Sequence, residues 1–190
     1  MRTSSWTRLS LIGAATSVFV YSSAALGQTF RNPISFGVVA GASIPVGDFA
    51  DFAETGWHAG GLLQWDTPAF PIGIRADAVY HRFGEKNENG GSPSLIVGTL
   101  NGVWSFPMTQ PYAVRPYLIG GAGIYNSRCR PGAADGCDSE TDFGLNGGGG
   151  IKVPLSGFTT VIEARYHIIF DSNGTVSNST FIPISVGILF

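Results

Sequence analysis

Charge is scarce in this chain. Asp, Glu, Lys and Arg make up 13% of its 190 residues, about half the share of roughly 25% usual in a soluble domain. Neither sign dominates, since 11 basic residues face 13 acidic ones. The basic excess of a nucleic-acid binder is therefore missing. Disorder is excluded as well, because it goes with high charge and few aromatics, and this chain has 4 Trp, 6 Tyr and 13 Phe. Cysteine occurs twice. Beyond the first 27 residues there is no apolar run of the kind a transmembrane helix needs, about 20 residues. A 3.6-residue period is almost absent, and no His-Glu-x-x-His, Gly-x-Ser-x-Gly or phosphate-binding loop appears. Glycine is the exception to this poverty. It fills 27 positions, about twice the usual share of roughly 7%, without the strict three-residue spacing of collagen.

The amino terminus reads as a targeting segment. Arg2 and Arg8 precede a largely apolar stretch from Leu9 to Val20, and no acidic residue occurs before Asp48. Ala25 and Gly27 then supply small residues at the −3 and −1 positions of a cut before Gln28. This is the pattern of a secretory signal peptide over residues 1–27, leaving residues 28–190 as a single domain. A membrane-spanning anchor would need a longer stretch, and Thr16, Ser17, Ser22 and Ser23 dilute this one. Gln28, rather than Cys, follows the cut, which argues against lipidation. In an exported protein, Cys129 and Cys137 read as a disulfide closing a small loop rich in Gly, Pro, Asp and Ser. Two thiols without a nearby His make a poor metal site.

What remains is period-2 patterning. Ile182, Ile184, Val186, Ile188 and Phe190 alternate with Phe181, Pro183, Ser185, Gly187 and Leu189. Ile162, Ala164, Tyr166 and Ile168 oppose Glu163, Arg165 and His167. Ile72, Ile74, Ala76, Ala78 and Tyr80 oppose Arg75, Asp77 and His81. Phe143, Leu145, Gly147, Gly149 and Ile151 oppose Gly144, Asn146, Gly148, Gly150 and Lys152. With residues 34–44, 57–66, 94–106 and 114–125, this predicts eight strands of about 9–13 residues, long enough for tilted strands to cross a bilayer. Longer polar connections near 45–56, 83–93, 126–141 and 170–180 alternate with shorter ones near 67–71, 107–113 and 154–157. An even strand number with long loops on one side and short turns on the other is the plan of an outer-membrane barrel. The charges lie on the glycine-bearing faces, opposite the bulky apolar ones. A soluble barrel puts its apolar side chains inside. An exterior of bulky apolar rows would aggregate in water, so the charged faces are expected to line the lumen. Trp65, Phe70, Trp104, Phe106, Tyr112, Phe158 and Phe190 gather at the short-turn ends of the segments. Trp57, Tyr80, Tyr125, Phe143, Tyr166 and Phe170 gather at the other ends. Two aromatic belts are expected of a membrane-spanning barrel.

These phrases resemble those of the small bacterial outer-membrane β-barrel proteins, of the OmpA-transmembrane-domain, OmpX and porin-like kinds. The resemblance rests on Phe36-Gly37-Val38-Val39-Ala40-Gly41 with Pro45-Val46-Gly47-Asp48-Phe49, on Pro116-Tyr117-Leu118-Ile119-Gly120-Gly121-Ala122-Gly123-Ile124-Tyr125, on Phe143 to Ile151, and on Glu163-Ala164-Arg165-Tyr166-His167. Ile184, Val186, Ile188 and the terminal Phe190 look like the family's C-terminal assembly signal. The resemblance covers residues 28–190. It implies an all-β, eight-stranded antiparallel up-and-down transmembrane barrel in the bacterial outer membrane. It further implies contact with outer-membrane lipid and lipopolysaccharide, and insertion by the outer-membrane assembly machinery. The periplasmic peptidoglycan-binding domain of full OmpA-type proteins has no counterpart up to Phe190. The fold hosts many functions and names none.

Candidate functional residues are therefore sought in the lumen. The segments carrying Arg75 and Asp77, and Glu163 and Arg165, fall on opposite walls of an eight-membered ring. The interior of such a ring is just wide enough for side chains to fill. Two guanidinium and two carboxylate groups are expected to meet there and neutralise each other. His81, Arg115, Asn146, Lys152 and His167 are further lumen candidates, with Arg115 and Lys152 nearer the short-turn mouth. A pairing of Glu163 with His167 as acid and base is conceivable, but no adjacent serine or other catalytic cue accompanies it. The acidic residues of the long connections, among them Asp48, Asp51, Glu54, Asp138 and Glu140, lack calcium-loop spacing. The expectation is a monomeric structural or surface-interaction protein with a plugged lumen, neither enzyme nor nucleic-acid binder, and without cofactor or metal. A low-conductance channel and a lipid- or peptide-modifying enzyme are the alternatives.

Overall fold

In the computed structural model, which describes residues 33–66, 70–85, 93–108, 114–128, 139–170 and 178–190, the alternating segments become eight strands. They are β1 (Ile34–Val46), β2 (Ala53–Trp65), β3 (Ile72–Glu85), β4 (Ser94–Ser105), β5 (Arg115–Arg128), β6 (Glu140–Leu155), β7 (Phe158–Phe170) and β8 (Ser179–Leu189). A single helical turn, α1 (Phe49–Phe52), lies between the first two. Each strand pairs antiparallel with its neighbours in sequence, and β1 pairs with β8 to close the ring. The all-β, eight-stranded up-and-down barrel expected from the sequence is the fold that forms. Closure leaves no edge strand, which is the condition for a sheet to sit in lipid. The last residue is tied in: Phe190 and Phe36 exchange backbone hydrogen bonds of 2.8 and 3.2 Å, and their rings stack.

Residue parity separates two environments. Among the described residues, the outward positions between the aromatic belts carry no Lys, Arg, Asp or Glu. They hold residues such as Phe36, Val38, Leu63, Ile74, Leu100, Leu118, Ile124, Leu145, Ile162 and Val186, all strongly exposed. This apolar mantle is what makes the barrel membrane-spanning, since water would not tolerate it. Aromatic pairs mark its rims: Trp104 with Phe106 at one, and Trp57 with Tyr80 and Phe143 with Phe170 at the other. Ile184, Val186 and Ile188 of β8, and Phe190 just past its end, all face outward. Tyr125 departs from the expected belt. It shares the inward parity of Tyr117 and Ile119, is fully buried, and points into the lumen, while its neighbour Ile124 takes the lipid side. Position at a strand end does not make a belt residue; parity does. Tyr112 lies outside the described residues.

The strands run past the expected boundaries. β2 begins at Ala53 rather than 57, so Glu54 belongs to a strand, and the first long connection shrinks to 47–52. It is no longer than the connection 66–71 at the opposite end, and 106–114 exceeds both. The alternation of loop lengths thus holds only loosely. Hairpin pairing continues beyond the apolar band because backbone groups gain partners there whatever their side chains prefer. The 156–157 connection is a two-residue turn that relies on Gly157 at φ 96°, a conformation a Cβ disfavours.

Candidate functional site in the barrel lumen

Alternation along a strand puts residues i and i+2 on one face. Arg75 and Asp77 of β3 therefore both point inward, as do Glu163 and Arg165 of β7 on the opposite wall. The four meet and form a closed quartet. Arg75 reaches across to Glu163 with two parallel bonds, Nη1 donating to Oε2 and Nη2 to Oε1, each 2.9 Å. Arg165 reaches back to Asp77 in the same way, with Nη1 and Nη2 each 3.2 Å from a carboxylate oxygen. Each guanidinium also gives its Nε to the acid on its own strand: Arg75 to Asp77 at 2.9 Å, and Arg165 to Glu163. All four are buried, Arg75 being only 1% exposed. Bidentate pairing uses the planar fork of arginine, which lysine cannot supply.

Neutral donors complete the carboxylates. Tyr117 donates its hydroxyl to Glu163 Oε2 at 2.6 Å. Asn101 donates to Asp77 Oδ2 at 2.7 Å, and Thr99 donates to the same oxygen at 3.3 Å. Asn146 donates to Asn101 Oδ1 at 2.9 Å. Glycine makes this packing feasible: a Cβ on Gly150 would stand 2.8 Å from the Tyr117 hydroxyl oxygen, and one on Gly144 would stand 2.5 Å from the Tyr125 ring. Apolar side chains fill the rest. Val39, Leu62, Val161 and Leu189 form one buried cluster, and Val103, Tyr117 and Ile119 another. The interior is therefore less polar than the glycine-bearing faces suggested. A bare lumen of charges would stay wet, whereas these clusters exclude water and strengthen the ion pairs they surround.

At the short-turn side, Arg115 and Lys152 are cross-strand partners. Lys152 lies over the Tyr117 ring and donates to Ser105 Oγ at 3.4 Å. Toward the other end, the histidines gather. His58, His81 and His167 are each no more than 4% exposed. Ser43 Oγ sits between two of them, 3.0 Å from His58 Nδ1 and 2.8 Å from His81 Nδ1. His58 Nε2 lies 2.9 Å from Ser185 Oγ, and His167 Nδ1 lies 2.8 Å from the Tyr125 hydroxyl. Phe181 packs on His81 and His167, Phe83 on Phe181, and Phe49 of α1 on Phe83. Glu163 and His167 do not pair: each is taken by other partners.

The quartet of Arg75, Asp77, Glu163 and Arg165 was legible because parity and ring position suffice to find it. Ser43, His58, Ser185, Tyr117, Tyr125, Thr99 and Asn101 were not, since no motif marks a lone hydroxyl or amide on an inward face. His58 alone left a trace, as an inward-parity partner directly opposite His81 across the β2–β3 pair. Cys129 and Cys137 lie outside the described residues.

No protein-family model matches the chain, and neither does any curated protein. Its fold matches solved structures. Neisserial surface protein A (NspA) superposes with a TM-score of 0.67 at 16% identity, over 83% of this chain and 96% of that one. The outer membrane protein OprG from Pseudomonas aeruginosa gives 0.54 at 12% identity, over 82% and 95%. The outer membrane enzyme PagL gives 0.53 at 15% identity, over 82% and 98%. At such identities the likeness is one of fold, and that fold carries both surface proteins and an enzyme.

Proposed function

We propose that this chain is an integral outer-membrane barrel whose lumen is a packed, charge-neutral plug, and whose role lies in the surface it presents at the long-connection end. The carrying observation is the closed quartet of Arg75, Asp77, Glu163 and Arg165, which bridges β3 to β7 with every guanidinium satisfied. The apolar mantle and the shared fold support the location. Lipid and lipopolysaccharide would surround the mantle, and the outward row ending at Phe190 would present the chain to the assembly machinery after cleavage behind Gly27. The barrel is complete as a monomer.

An enzymatic role has less support. Ser43 stands at nucleophile–base distance from two imidazoles, but it is fully buried, and among the described residues no carboxylate orients either ring. Its contacts serve the packing of the lumen. The second reading, a narrow conducting path, draws on one feature: a cavity lined by Asp77, Thr99, Arg165 and the three histidines. It is small, with a volume of about 20 Å³, and the paired Asp77 and Arg165 of the quartet form part of its wall. Planar-bilayer recording of the refolded protein near neutral pH is the test. The plug predicts no steady conductance, and stable ohmic steps from the parent protein overturn it in favour of the channel.

A further inference from the structure

Among the described residues, basic side chains on the outer face of the barrel occur at one rim only. The outward positions of the short-turn rim are apolar or aromatic, among them Trp65, Ile72, Trp104, Phe158 and Phe190. The basic residues at that end, Arg115 and Lys152, share the inward parity of Tyr117 and Asn146. At the long-connection rim stand Arg82 of β3 and Arg128 of β5, both exposed and both with the outward parity of Tyr80 and Ile124. Strand register places Trp57, Arg82, Ser94 and Arg128 in one row across β2, β3, β4 and β5. The two arginines therefore lie two strand spacings apart, about 10 Å.

Neither guanidinium is used up by the barrel. Arg82 has no ion pair or side-chain hydrogen bond among the described residues. Glu54 of β2 lies beside Gly84, two residues further along β3, and does not pair with it. Among the described residues Arg128 donates only its Nε, to Asn126 Oδ1 at 3.1 Å, and Asn126 is anchored in turn by donating to Thr141 Oγ1 at 2.8 Å. The base of the fork is thus held, and the terminal nitrogens, which grip an oxyanion in pairs, are left over. Between the arginines, Ser94 donates its hydroxyl to the Arg128 carbonyl at 3.2 Å and ties the row together. Trp57 is in the row beside Arg82, with the Tyr80 ring 5.7 Å away, and this pair marks the boundary between lipid and water. Below come Ile96, Leu100 and Ile124 of the mantle. An arginine at this depth lays its stem along apolar surface and holds its head at the level of lipid headgroups.

We propose that Arg82 and Arg128 form a clamp for the phosphorylated headgroup of a glycolipid, whose acyl chains lie against the β3–β5 sector of the mantle. This rests on the outer-membrane reading and names the sector and the residues that would select one lipid. Three observations converge on that occupant. The two cations lack a carboxylate partner among the described residues, so an incoming phosphate displaces no ion pair. They stand directly above an apolar wall, which suits an amphiphile and would be idle beneath a soluble anion. They are present at the long-connection rim and absent from the outer face of the other, as expected if only one leaflet carries the ligand. Phosphate offers each fork two oxygens in the plane it needs, which a lysine would meet only as a point charge.

Native mass spectrometry of the refolded barrel, released from detergent micelles, tests this with three lipids. They are a bis-phosphorylated, acylated glucosamine disaccharide (lipid A), the same lipid without its phosphates, and phosphatidylglycerol. The clamp predicts that the phosphorylated disaccharide binds about tenfold tighter than either of the others, through two charge-assisted contacts. Replacing both arginines, Arg82→Gln with Arg128→Gln, should remove that preference, and Arg82→Lys with Arg128→Lys should restore only part of it. Inorganic phosphate should compete poorly, because it lacks the chains. Equal binding of the phosphate-free disaccharide overturns the clamp, as does a preference that the double Gln substitution leaves unchanged. Phosphatidylglycerol bound as tightly as the disaccharide reduces the row to a general anionic contact and overturns it too. Full competition by inorganic phosphate overturns the lipid as occupant. A barrel that inserts into vesicles but shows no phosphate preference loses the clamp alone, whereas one that does not insert loses the outer-membrane reading with it. Both arginines lie outside the packed lumen, so the variants should keep the parent's heat-dependent gel shift. The comparison of lipids on the wild-type protein needs no variant.

Discussion

Glu163 is the most heavily used side chain of the lumen. It accepts two bonds from Arg75, one from Arg165 and one from Tyr117. Glu163→Gln keeps the shape but removes the charge, and turns one accepting oxygen into a donor aimed at donors. Two buried guanidinium groups would then share the single carboxylate of Asp77. Breaking one member of a buried ion network typically costs about 3–5 kcal/mol. A loss of that size is expected in urea unfolding of the vesicle-refolded protein, and a change below about 1 kcal/mol would mean the pairs are individually dispensable. Replacing the whole quartet at once, with Arg75→Met, Asp77→Leu, Glu163→Met and Arg165→Met, should cost much less than the single change. Desolvation of the charges is removed together with their attraction.

At the level of the strand, one residue of alternation decides between two solvents. On β4, Leu100 is 63% exposed and faces the mantle, while its neighbours Thr99 and Asn101 point inward and serve Asp77. Leu100→Arg would place a guanidinium against hydrocarbon near the middle of the strand. The expected penalty is about 2–4 kcal/mol, falling toward zero for the same change made at the rims. The measurement is again urea unfolding in vesicles, with a rim position as control. Equal costs at both depths would contradict the mantle's orientation.

For the molecule as a whole, closure matters more than any single contact. β1–β8 pairing joins the first and last strands over ten register pairs, and no strand can leave without breaking two ladders. Such a barrel should resist dodecyl sulfate at room temperature, migrate as a compact species on gels, and shift to its unfolded mobility only after boiling. Its circular dichroism should be β-rich. A helical spectrum, or identical mobility before and after heating, would be incompatible with the closed sheet. The same closure brings β3 and β7 to opposite walls, so cross-lumen bonds brace the ring along a diameter.

The sequence by itself determined the fold class, the parity of most strands and the four charges that meet in the middle. Each of these follows from local periodicity combined with the ring order of eight strands. It misleads on Tyr125, because position at a strand end does not set the side a ring faces, and on the loop boundaries, because backbone pairing outlasts the apolar pattern. Only the tertiary structure decided which inward residues touch. Ser43, His58, His81 and Ser185 come from four strands, and their meeting depends on the register of β1 against both β2 and β8. That register is a property of the closed ring, in which stagger and tilt are coupled. No stretch of sequence carries it alone, and so the contacts of the three histidines with Ser43, Ser185 and Tyr125 exist only in the closed barrel.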